Sequence, residues 1–324
     1  MQIVSLGRHG LKVSRLCLGT MIFGTQCDES QSFAILDEAA ALGFTFLDTA
    51  DAYPVPPDPA QAGVTEQIVG RWLKGRRNQF VVATKFVNPM GRGANDRGAS
   101  WKHMIEACEA SLRRLQTDRI DLYYAHKWDE ATPIDETMEA FDRLRRDGKI
   151  LYVGISNFSA WQLGLAHAVT AERRLAPIAA LQPRYNLLYR AAERDLFPFC
   201  RAVGIGVIPY NPLAAGMLTG KYRRGSEPPA ESRFSWGDYG RMYQGRYWSD
   251  EMFRVVETLV SISQKEQMAP AQVSLAWVLH QDVVTSTIIG ASRPEQLREN
   301  VKALDKKLSE DSIRLLDEAS LNLV

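Results

Sequence analysis

Short apolar runs alternate along the chain with longer segments that are apolar on one face only. Eight such runs follow Ser14, and most are almost continuously apolar, which is typical of strands covered on both faces. Between them, apolar residues recur at helical spacing, as at Met104, Cys108, Leu112 and Leu115. This alternation predicts parallel strands joined by crossover helices. The eight predicted strands are residues 16–20, 44–49, 80–86, 120–126, 151–156, 178–182, 206–210 and 287–290.

Eight strands that alternate with eight helices predict a closed (β/α)8 barrel, the TIM-barrel architecture, rather than an open sheet. An open sheet that binds a dinucleotide would carry a G-x-G-x-x-G turn after an early strand, and the sequence contains none. Two short apolar pieces on either side of Gly7 and Gly10 precede the first strand and predict a small N-terminal β-hairpin. We expect residues 1–324 to form a single barrel domain.

Three connections are much longer than the others. Residues 52–64 are rich in proline, residues 87–99 are rich in glycine, and residues 213–249 mix glycine, proline, arginine and aromatic side chains. Each follows the carboxyl end of a strand, so all three should overhang the barrel face that carries active sites and form the walls of a substrate pocket. The aromatic residues between 234 and 248 leave two interpretations open, a substrate lid or internal packing of the loop.

The composition gives bounds on the function. Lysine plus arginine (39) nearly balance aspartate plus glutamate (38), so nucleic acid and anionic membranes are not expected as partners, and a small-molecule ligand is. Cys17, Cys27, Cys108 and Cys200 are far apart, which predicts buried reduced thiols and no metal site. No apolar segment suits a secretory signal or a membrane span, and we expect a cytoplasmic protein. The oligomeric state stays open.

Ionisable residues end several of the early apolar strands. Asp48 and Tyr53 follow the second predicted strand, Lys85 ends the third, and His126 ends the fourth. A barrel brings strand ends together around one axis, so the four side chains can meet. Taken singly, each has an ordinary interpretation, as a turn residue, a satisfied histidine or a solvated strand terminus. Their joint occurrence favours catalysis.

These four residue types fit the reduction of a carbonyl group. The reaction needs an acid for the developing alkoxide, and a tyrosine with a pKa of about 10 needs a cation beside it to donate efficiently at neutral pH. Lys85 would lower the pKa of Tyr53, Asp48 would hold the lysine charged and oriented, and His126 would donate a hydrogen bond to the carbonyl oxygen. The hydride must come from a cofactor, because no side chain supplies one.

Several ordered motifs closely resemble the aldo-keto reductase superfamily. They are GFTFLDTADAY at 43–53, ATK at 83–85, DLYYAH at 121–126, GISNF at 154–158, IPYNPL at 208–213 and GASRPEQL at 290–297. The resemblance extends from about residue 6 to residue 304. It implies a carbonyl reductase whose catalytic tetrad is Asp48, Tyr53, Lys85 and His126, with Tyr53 as general acid and NADPH as hydride source. Tyr123 and Lys127 also have the Y-x-x-x-K spacing of short-chain dehydrogenases, which we interpret as coincidental because it lies on a predicted strand.

The same resemblance implies which residues hold the cofactor. The nicotinamide end would contact Thr20, Met21, Ser156, Asn157, Gln182, Tyr210, Asn211 and Pro212, with Tyr210 stacked on the ring. The pyrophosphate would lie against Leu213, Gly216, Lys221 and Arg233. The adenosine end would contact Gly290, Ser292, Arg293, Gln296, Glu299 and Asn300.

Arg293 predicts a preference for NADPH over NADH. A guanidinium binds the extra ribose phosphate of NADPH with charge-assisted hydrogen bonds, and such bonds imply a preference of about ten- to a hundredfold. No acidic residue lies within 290–293 to accept the two ribose hydroxyls of NADH. The alternative is that Arg293 is an ordinary exposed residue at the start of a helix.

Two features leave the biological role open. Potassium-channel beta subunits have the same fold and many of the same motifs, so a nicotinamide-sensing regulatory subunit with slow turnover is the alternative function. Members of the family usually have a short glycine-rich link after the tetrad tyrosine, whereas this chain has PVPPDPAQAG at 54–63. That loop should reshape substrate access. The natural substrate is expected to be an aldehyde, a ketone or the corresponding alcohol, and its identity does not follow from the specificity of other members.

Overall fold

A computed structural model describes residues 1–323 and has the predicted (β/α)8 architecture. Eight parallel strands form one sheet in the order β10-β3-β4-β5-β6-β7-β8-β9. The backbone N–H of Ile288 donates to the carbonyl of Pro209 at 2.9 Å and so joins the two ends of the sheet into a barrel. The strands are β3 (Leu16–Gly19), β4 (Phe46–Asp48), β5 (Val81–Phe86), β6 (Ile120–Ala125), β7 (Ile150–Ser156), β8 (Ile178–Gln182), β9 (Gly206–Val207) and β10 (Thr287–Ile289), preceded by β1 (Ile3–Ser5) and β2 (Lys12–Ser14).

The predicted N-terminal hairpin is present and closes the amino end of the barrel. Strands β1 and β2 pair antiparallel, with Val4 opposite Val13. Leu6 and Val13 are fully buried and pack with the inward-facing residues of the barrel strands, among them Phe46 and Leu122. One end of the barrel is therefore filled with apolar side chains, and only the carboxyl ends of the strands remain open to a ligand.

Eleven α-helices surround the barrel in the described residues, against the eight expected. They are α1 (Glu29–Ala41), α2 (Val64–Leu73), α3 (Trp101–Leu115), α4 (Ile134–Arg146), α5 (Ala160–Glu172), α6 (Leu196–Val203), α7 (Gly237–Tyr247), α8 (Asp250–Lys265), α9 (Pro270–His280), α10 (Pro294–Val301) and α11 (Glu310–Ser320). Three of them lie between β9 and β10, and α7 lies inside the connection predicted as an irregular loop, residues 213–249.

Two strands, β4 and β9, are three residues shorter than predicted, for different reasons. The ladder between β8 and β9 continues past Val207, because Ile208 N–H donates to Leu181 and Tyr210 N–H donates to Pro183. Pro209 has no N–H, so the regular strand ends before it. At the start of β4, Phe44 N–H donates to the carbonyl of Ala39, and the residue therefore closes the end of α1 instead of extending the strand.

The four cysteines are buried and unpaired, as predicted. No helix of residues 1–323 is long and apolar enough to cross a membrane.

Candidate active site

A cavity of about 1000 Å³ opens at the carboxyl ends of the strands. Three members of the predicted tetrad, Asp48, Tyr53 and His126, line it. Every residue predicted to contact the cofactor also lines it: Thr20, Met21, Ser156, Asn157, Gln182, Tyr210, Asn211, Pro212, Leu213, Gly216, Lys221, Arg233, Gly290, Ser292, Arg293, Gln296, Glu299 and Asn300. The fold therefore brings residues that are more than 250 positions apart in the chain to one cavity.

Lys85 lies beneath the cavity wall and is fully buried. Its position follows from strand alternation. The barrel interior contains Phe46 of β4 and Ala83 of β5, so the residues two positions further along, Asp48 and Lys85, point inward as well. The Lys85 Nζ lies 2.5 Å from Asp48 Oδ1 and also donates to the carbonyl of Thr49 at 2.8 Å. A lysine at this depth needs such partners, because an unpaired buried charge is very costly.

Gln182 contacts the tetrad in a way that the sequence did not indicate. Its Nε2 donates to the second carboxylate oxygen of Asp48 at 2.8 Å, so Asp48 is held from both sides, by Gln182 and by Lys85. Burial raises the pKa of Asp48, although Lys85 and Gln182 oppose that rise. Gln182 also lines the cavity, so this geometry adds a role to the predicted contact with the nicotinamide.

Tyr53 differs from its prediction in one respect. The Lys85 Nζ lies 5.1 Å from the centroid of the Tyr53 ring, over its face, and its hydrogen bonds go to Asp48 and Thr49. Burial raises the pKa of Tyr53 well above its usual value, and the Asp48 carboxylate raises it further. The net shift of this pKa is therefore upward, and the predicted lowering by Lys85 stays a prediction. The phenol stays protonated, which is the state that a proton donor requires before it reacts.

His126 faces the cavity as a neutral imidazole. Burial lowers the pKa of His126 well below its usual value, and the charges of Lys85 and Lys127 lower it further. The Nδ2 of Asn88 lies 2.9 Å from His126 Nδ1. An amide nitrogen only donates, so Nδ1 is the acceptor and the ring proton is on Nε2. His126 can therefore donate a hydrogen bond to a ligand in the cavity.

Asn88 is a site residue that the sequence analysis missed. It follows Val87, whose φ of 100° is unusual for a β-branched residue. The carbonyl of Val87 accepts a hydrogen bond from Gly98 N–H at 2.9 Å, which fixes this turn at the end of β5. Asn88 lies in the predicted wall segment 87–99, but nothing in the sequence distinguishes it from the other polar residues of that segment.

Asn157, directly after β7, links His126, which follows β6, to Tyr210, which follows β9. Its Nδ2 donates to the carbonyl of His126 at 2.8 Å, and its Oδ1 accepts from the Tyr210 hydroxyl at 2.8 Å. Its φ of 56° is in the left-handed region, which asparagine tolerates better than most residues. Ser156 Oγ donates to the Gln182 carbonyl at 2.9 Å. This network holds the ring of Tyr210 at the cavity wall.

Three cations, Lys221, Arg233 and Arg293, line another part of the cavity. None has a carboxylate within 4 Å among residues 1–323. Burial lowers the pKa of Lys221, and the charges of Arg233 and Arg293 lower it further, so the three repel one another. Uncompensated cations in one cavity are suited to phosphate groups.

A second carboxylate, Asp51, is buried beside the tetrad without a hydrogen-bond partner for either oxygen among the described residues. Its neighbour Glu66 is also buried, but it accepts hydrogen bonds from Thr84 Oγ1 and Arg114 Nε, each at 2.6 Å. Burial raises the pKa of Asp51 well above its usual value, and the charge of Glu66 raises it further. The Asp51 carboxyl is therefore favoured in its neutral form. Asp51 was not predicted to be a site residue.

The aromatic residues of segment 213–249 divide between the two interpretations left open by the sequence. Trp236, Tyr239 and Tyr243 line the cavity. Phe234 and Trp248 instead pack against each other, with ring centroids 4.9 Å apart. Internal packing is confirmed for Phe234 and Trp248, whereas a substrate lid stays a prediction for the residues that line the cavity.

Tyr123 and Lys127 do not form a site. The Tyr123 ring is fully buried outside the cavity, stacked 5.1 Å from Phe86, and Lys127 is exposed. Within residues 1–323 there is also no group of three or more metal-ligating side chains.

The chain is similar to known proteins over nearly its whole length. A sequence model of the aldo/keto reductase family matches residues 15–321. The chain is 40% identical to the uncharacterized oxidoreductase YrpG of Bacillus subtilis, covering 98% of this chain and 95% of the relative. It is 36% identical to a probable voltage-gated potassium channel subunit beta of Oryza sativa, covering 94% and 92% of the two chains. It is 33% identical to norsolorinic acid reductase A of Aspergillus parasiticus, covering 96% and 78%.

Proposed function

The chain belongs to the aldo/keto reductase family, and from this membership and the site geometry we propose that it reduces an aldehyde or ketone with NADPH. The observation that carries the proposal is the arrangement at the base of the cavity. A buried Asp48–Lys85 pair lies beside a protonated Tyr53 and a neutral His126. An acid and a neutral hydrogen-bond donor at one cavity wall suit a reaction in which a carbonyl oxygen gains a proton.

Each side chain has a distinct role in this proposal. His126 Nε2–H donates to the carbonyl oxygen and orients it, while Tyr53 transfers its hydroxyl proton to the same oxygen as negative charge develops there. The Lys85 ammonium, 5.1 Å from the ring centroid, faces the tyrosinate that remains. Asp48 and Gln182 fix the lysine from behind. A reduced nicotinamide, when bound, supplies the hydride for the carbonyl carbon.

The cations at the other part of the cavity support a nicotinamide cofactor that carries phosphate groups. Lys221 and Arg233 would hold the pyrophosphate, and Arg293 would bind the ribose phosphate that distinguishes NADPH from NADH. Arg293 directly precedes α10, so the positive end of that helix dipole lies beside the same anion. Tyr210, Ser156 and Asn157 would hold the nicotinamide end.

A regulatory subunit is the second candidate function, favoured by the similarity to the rice protein named as a potassium channel subunit beta. The reductase is preferred because other relatives are named as an oxidoreductase and as norsolorinic acid reductase. The two functions differ in turnover. Sustained multiple turnovers with NADPH support the enzyme, whereas a single slow turnover together with a stable complex with another protein supports the sensor.

The experiment is NADPH oxidation, followed by absorbance across a panel of aldehydes and ketones, with wild type and Tyr53→Phe. We expect the variant to lose at least about a hundredfold in kcat because it lacks the acid. Its Kd for NADPH should not change, because the hydroxyl is not among the phosphate-binding groups. Tyr152→Phe, a phenol that packs against His9 of the hairpin connection, is the matched control and should behave as wild type. Unchanged turnover in Tyr53→Phe would contradict the assignment.

A further inference from the structure

Helix α7 presents one face to the cavity. Tyr239, Met242, Tyr243 and Arg246 all line it, at the i, i+3, i+4, i+7 spacing of one helical side. The Tyr239 and Tyr243 rings contact each other, with centroids 5.4 Å apart. Arg246 is the only charged residue on this face, and it follows three side chains that would otherwise make an apolar wall.

The Arg246 guanidinium has no partner in the described part of the protein. It forms no ion pair and no hydrogen bond with residues 1–323, and its Cζ lies 5.8 Å from the centroid of the Tyr243 ring. Arg241 on the outer face of the same helix behaves differently, because it is exposed and forms an ion pair with Asp238. A guanidinium with five N–H donors directed toward a cavity and without an anion beside it is suited to an anionic ligand.

Arg246 is on the substrate side of the cavity. Tyr243 is close enough to Tyr53 to contribute to the rise in the Tyr53 pKa, after burial and Asp48. Burial raises the pKa of Tyr210 to about 12, and Arg184 and Arg246 oppose that rise, so Arg246 also lies near Tyr210. The guanidinium is therefore near the proposed nicotinamide platform, and Tyr243, whose ring centroid is 5.8 Å from it, is near the proposed acid. Of the three proposed phosphate-binding cations, Arg233 also lies 5.8 Å from the centroid of the Tyr243 ring, and the charges that lower the pKa of Lys221 are those of Arg233 and Arg293.

We propose that Arg246 makes this enzyme selective for carbonyl compounds that carry a carboxylate group. This inference rests on the proposed reductase function and names its substrate class. One guanidinium matches the single charge and the planar fork of one carboxylate, whereas a phosphate dianion would draw on several donors. The aromatic residues Trp236, Tyr239 and Tyr243 would contact the apolar part of such a substrate, between its carbonyl and carboxylate groups.

The test compares 4-formylbenzoate with its neutral methyl ester, which keeps the ring and the aldehyde and removes the charge. In wild type with NADPH, kcat/KM should be higher for the acid than for the ester. Arg246→Gln should lower kcat/KM for the acid by about ten- to a hundredfold, as expected for the loss of a charge-assisted pair, and should leave the ester nearly unchanged. Arg246→Lys should recover part of the loss. Arg241→Gln, which changes the net charge equally on the outer face, should leave both values unchanged.

Binding of the same two compounds, measured by calorimetry without cofactor, separates this inference from the proposed function. If wild type reduces no member of the aldehyde and ketone panel, the reductase proposal fails, but tighter binding of the acid that is lost in Arg246→Gln still supports the anion site. Equal binding of acid and ester in wild type overturns the inference, whether or not turnover occurs. If Arg241→Gln lost the preference for the acid over the ester to the same extent, the inference would also be overturned, because the overall charge of the protein would then explain the preference. A weaker Kd for NADPH in Arg246→Gln, with the acid-to-ester ratio unchanged, would assign Arg246 to the cofactor instead.

Discussion

The buried ion pair Asp48–Lys85 should couple far more strongly to folding than a surface pair of the same geometry. Its side chains are 4% and 0% exposed, and its N–O distance is 2.5 Å. Removing one partner leaves the other charge buried, which typically costs about 3–5 kcal/mol. Asp48→Asn and Lys85→Met should therefore each lower the free energy of unfolding by that amount. The double variant buries no uncompensated charge, so it should lose much less than the sum of the two.

The Glu29–Arg71 pair is the matched control, because it has the same N–O distance of 2.5 Å but exposed side chains. Its double-mutant cycle, built with Glu29→Gln and Arg71→Gln, should show no measurable coupling, since water and salt screen exposed pairs. Both cycles are measured by urea unfolding, followed by tryptophan fluorescence and far-UV circular dichroism. If the losses at Asp48 and Lys85 simply add, within about 0.5 kcal/mol, the pair is not coupled and the reasoning is refuted.

Turnover distinguishes the chemical role of the pair from its structural role. In the double variant the stability should recover, but kcat should stay at least about a hundredfold below wild type, because the cation that faces the Tyr53 ring is gone. Activity that returned together with stability would mean that Asp48 and Lys85 serve only the fold.

Three further predictions concern neighbouring residues. Arg293→Ala should weaken NADPH by about ten- to a hundredfold and NADH little, measured as two Kd values, and equal weakening would remove the basis for NADPH preference. Asn88→Asp should place an acceptor at His126 Nδ1, so that the ring proton moves from Nε2 to Nδ1 or a second proton binds at Nδ1. The ¹⁵N chemical shifts of the His126 ring report this change. An unchanged spectrum would contradict the assigned tautomer. Asp51 has a raised pKa in the folded state, so its ionisation opposes folding increasingly as the pH rises toward that value. The Tm gain from Asp51→Asn should therefore be larger at pH 8 than at pH 5, and a gain independent of pH would disprove the shift.

Periodicity predicted the barrel, and the positions of Asp48, Lys85 and His126 at or after strand ends predicted that these side chains would lie close together. Strand ends in a parallel barrel converge, and the side chains of Asp48 and Lys85 share the inward alternation of their strands. The hydrogen bonds among the site side chains could not be predicted from the sequence. That Gln182 donates to Asp48, and that Asn88 donates to His126, depends on loop conformations and on residues in distant parts of the chain. The net rise in the pKa of Tyr53 was not predicted, because it comes mainly from the burial of the ring, which the sequence does not show.

Helix α7 was not predicted, and its composition explains why. Gly237, Gly240 and Gly245 lie within its eleven residues, and glycine disfavours the interior of a helix by about 1 kcal/mol each. Tertiary packing overrides this preference. A Cβ at Gly240 would lie 2.6 Å from the carbonyl oxygen of Phe234, so only glycine permits the close approach of the helix to the preceding turn.

The two halves of the site are held by different kinds of interaction, and this has a consequence for specificity. Asp48, Lys85 and His126 lie on or directly after strands whose positions are set by the continuous backbone ladder of β4, β5 and β6. The side chains of α7 and of the proline-rich loop 54–63 instead form another part of the cavity wall through side-chain packing and loop conformation. A substitution in that wall can change which carbonyl compound fits without moving the acid. We therefore expect exchanges at Tyr239 or Arg246 to alter the ratio of kcat/KM between substrates, and exchanges at Asp48 or Lys85 to lower kcat for all of them.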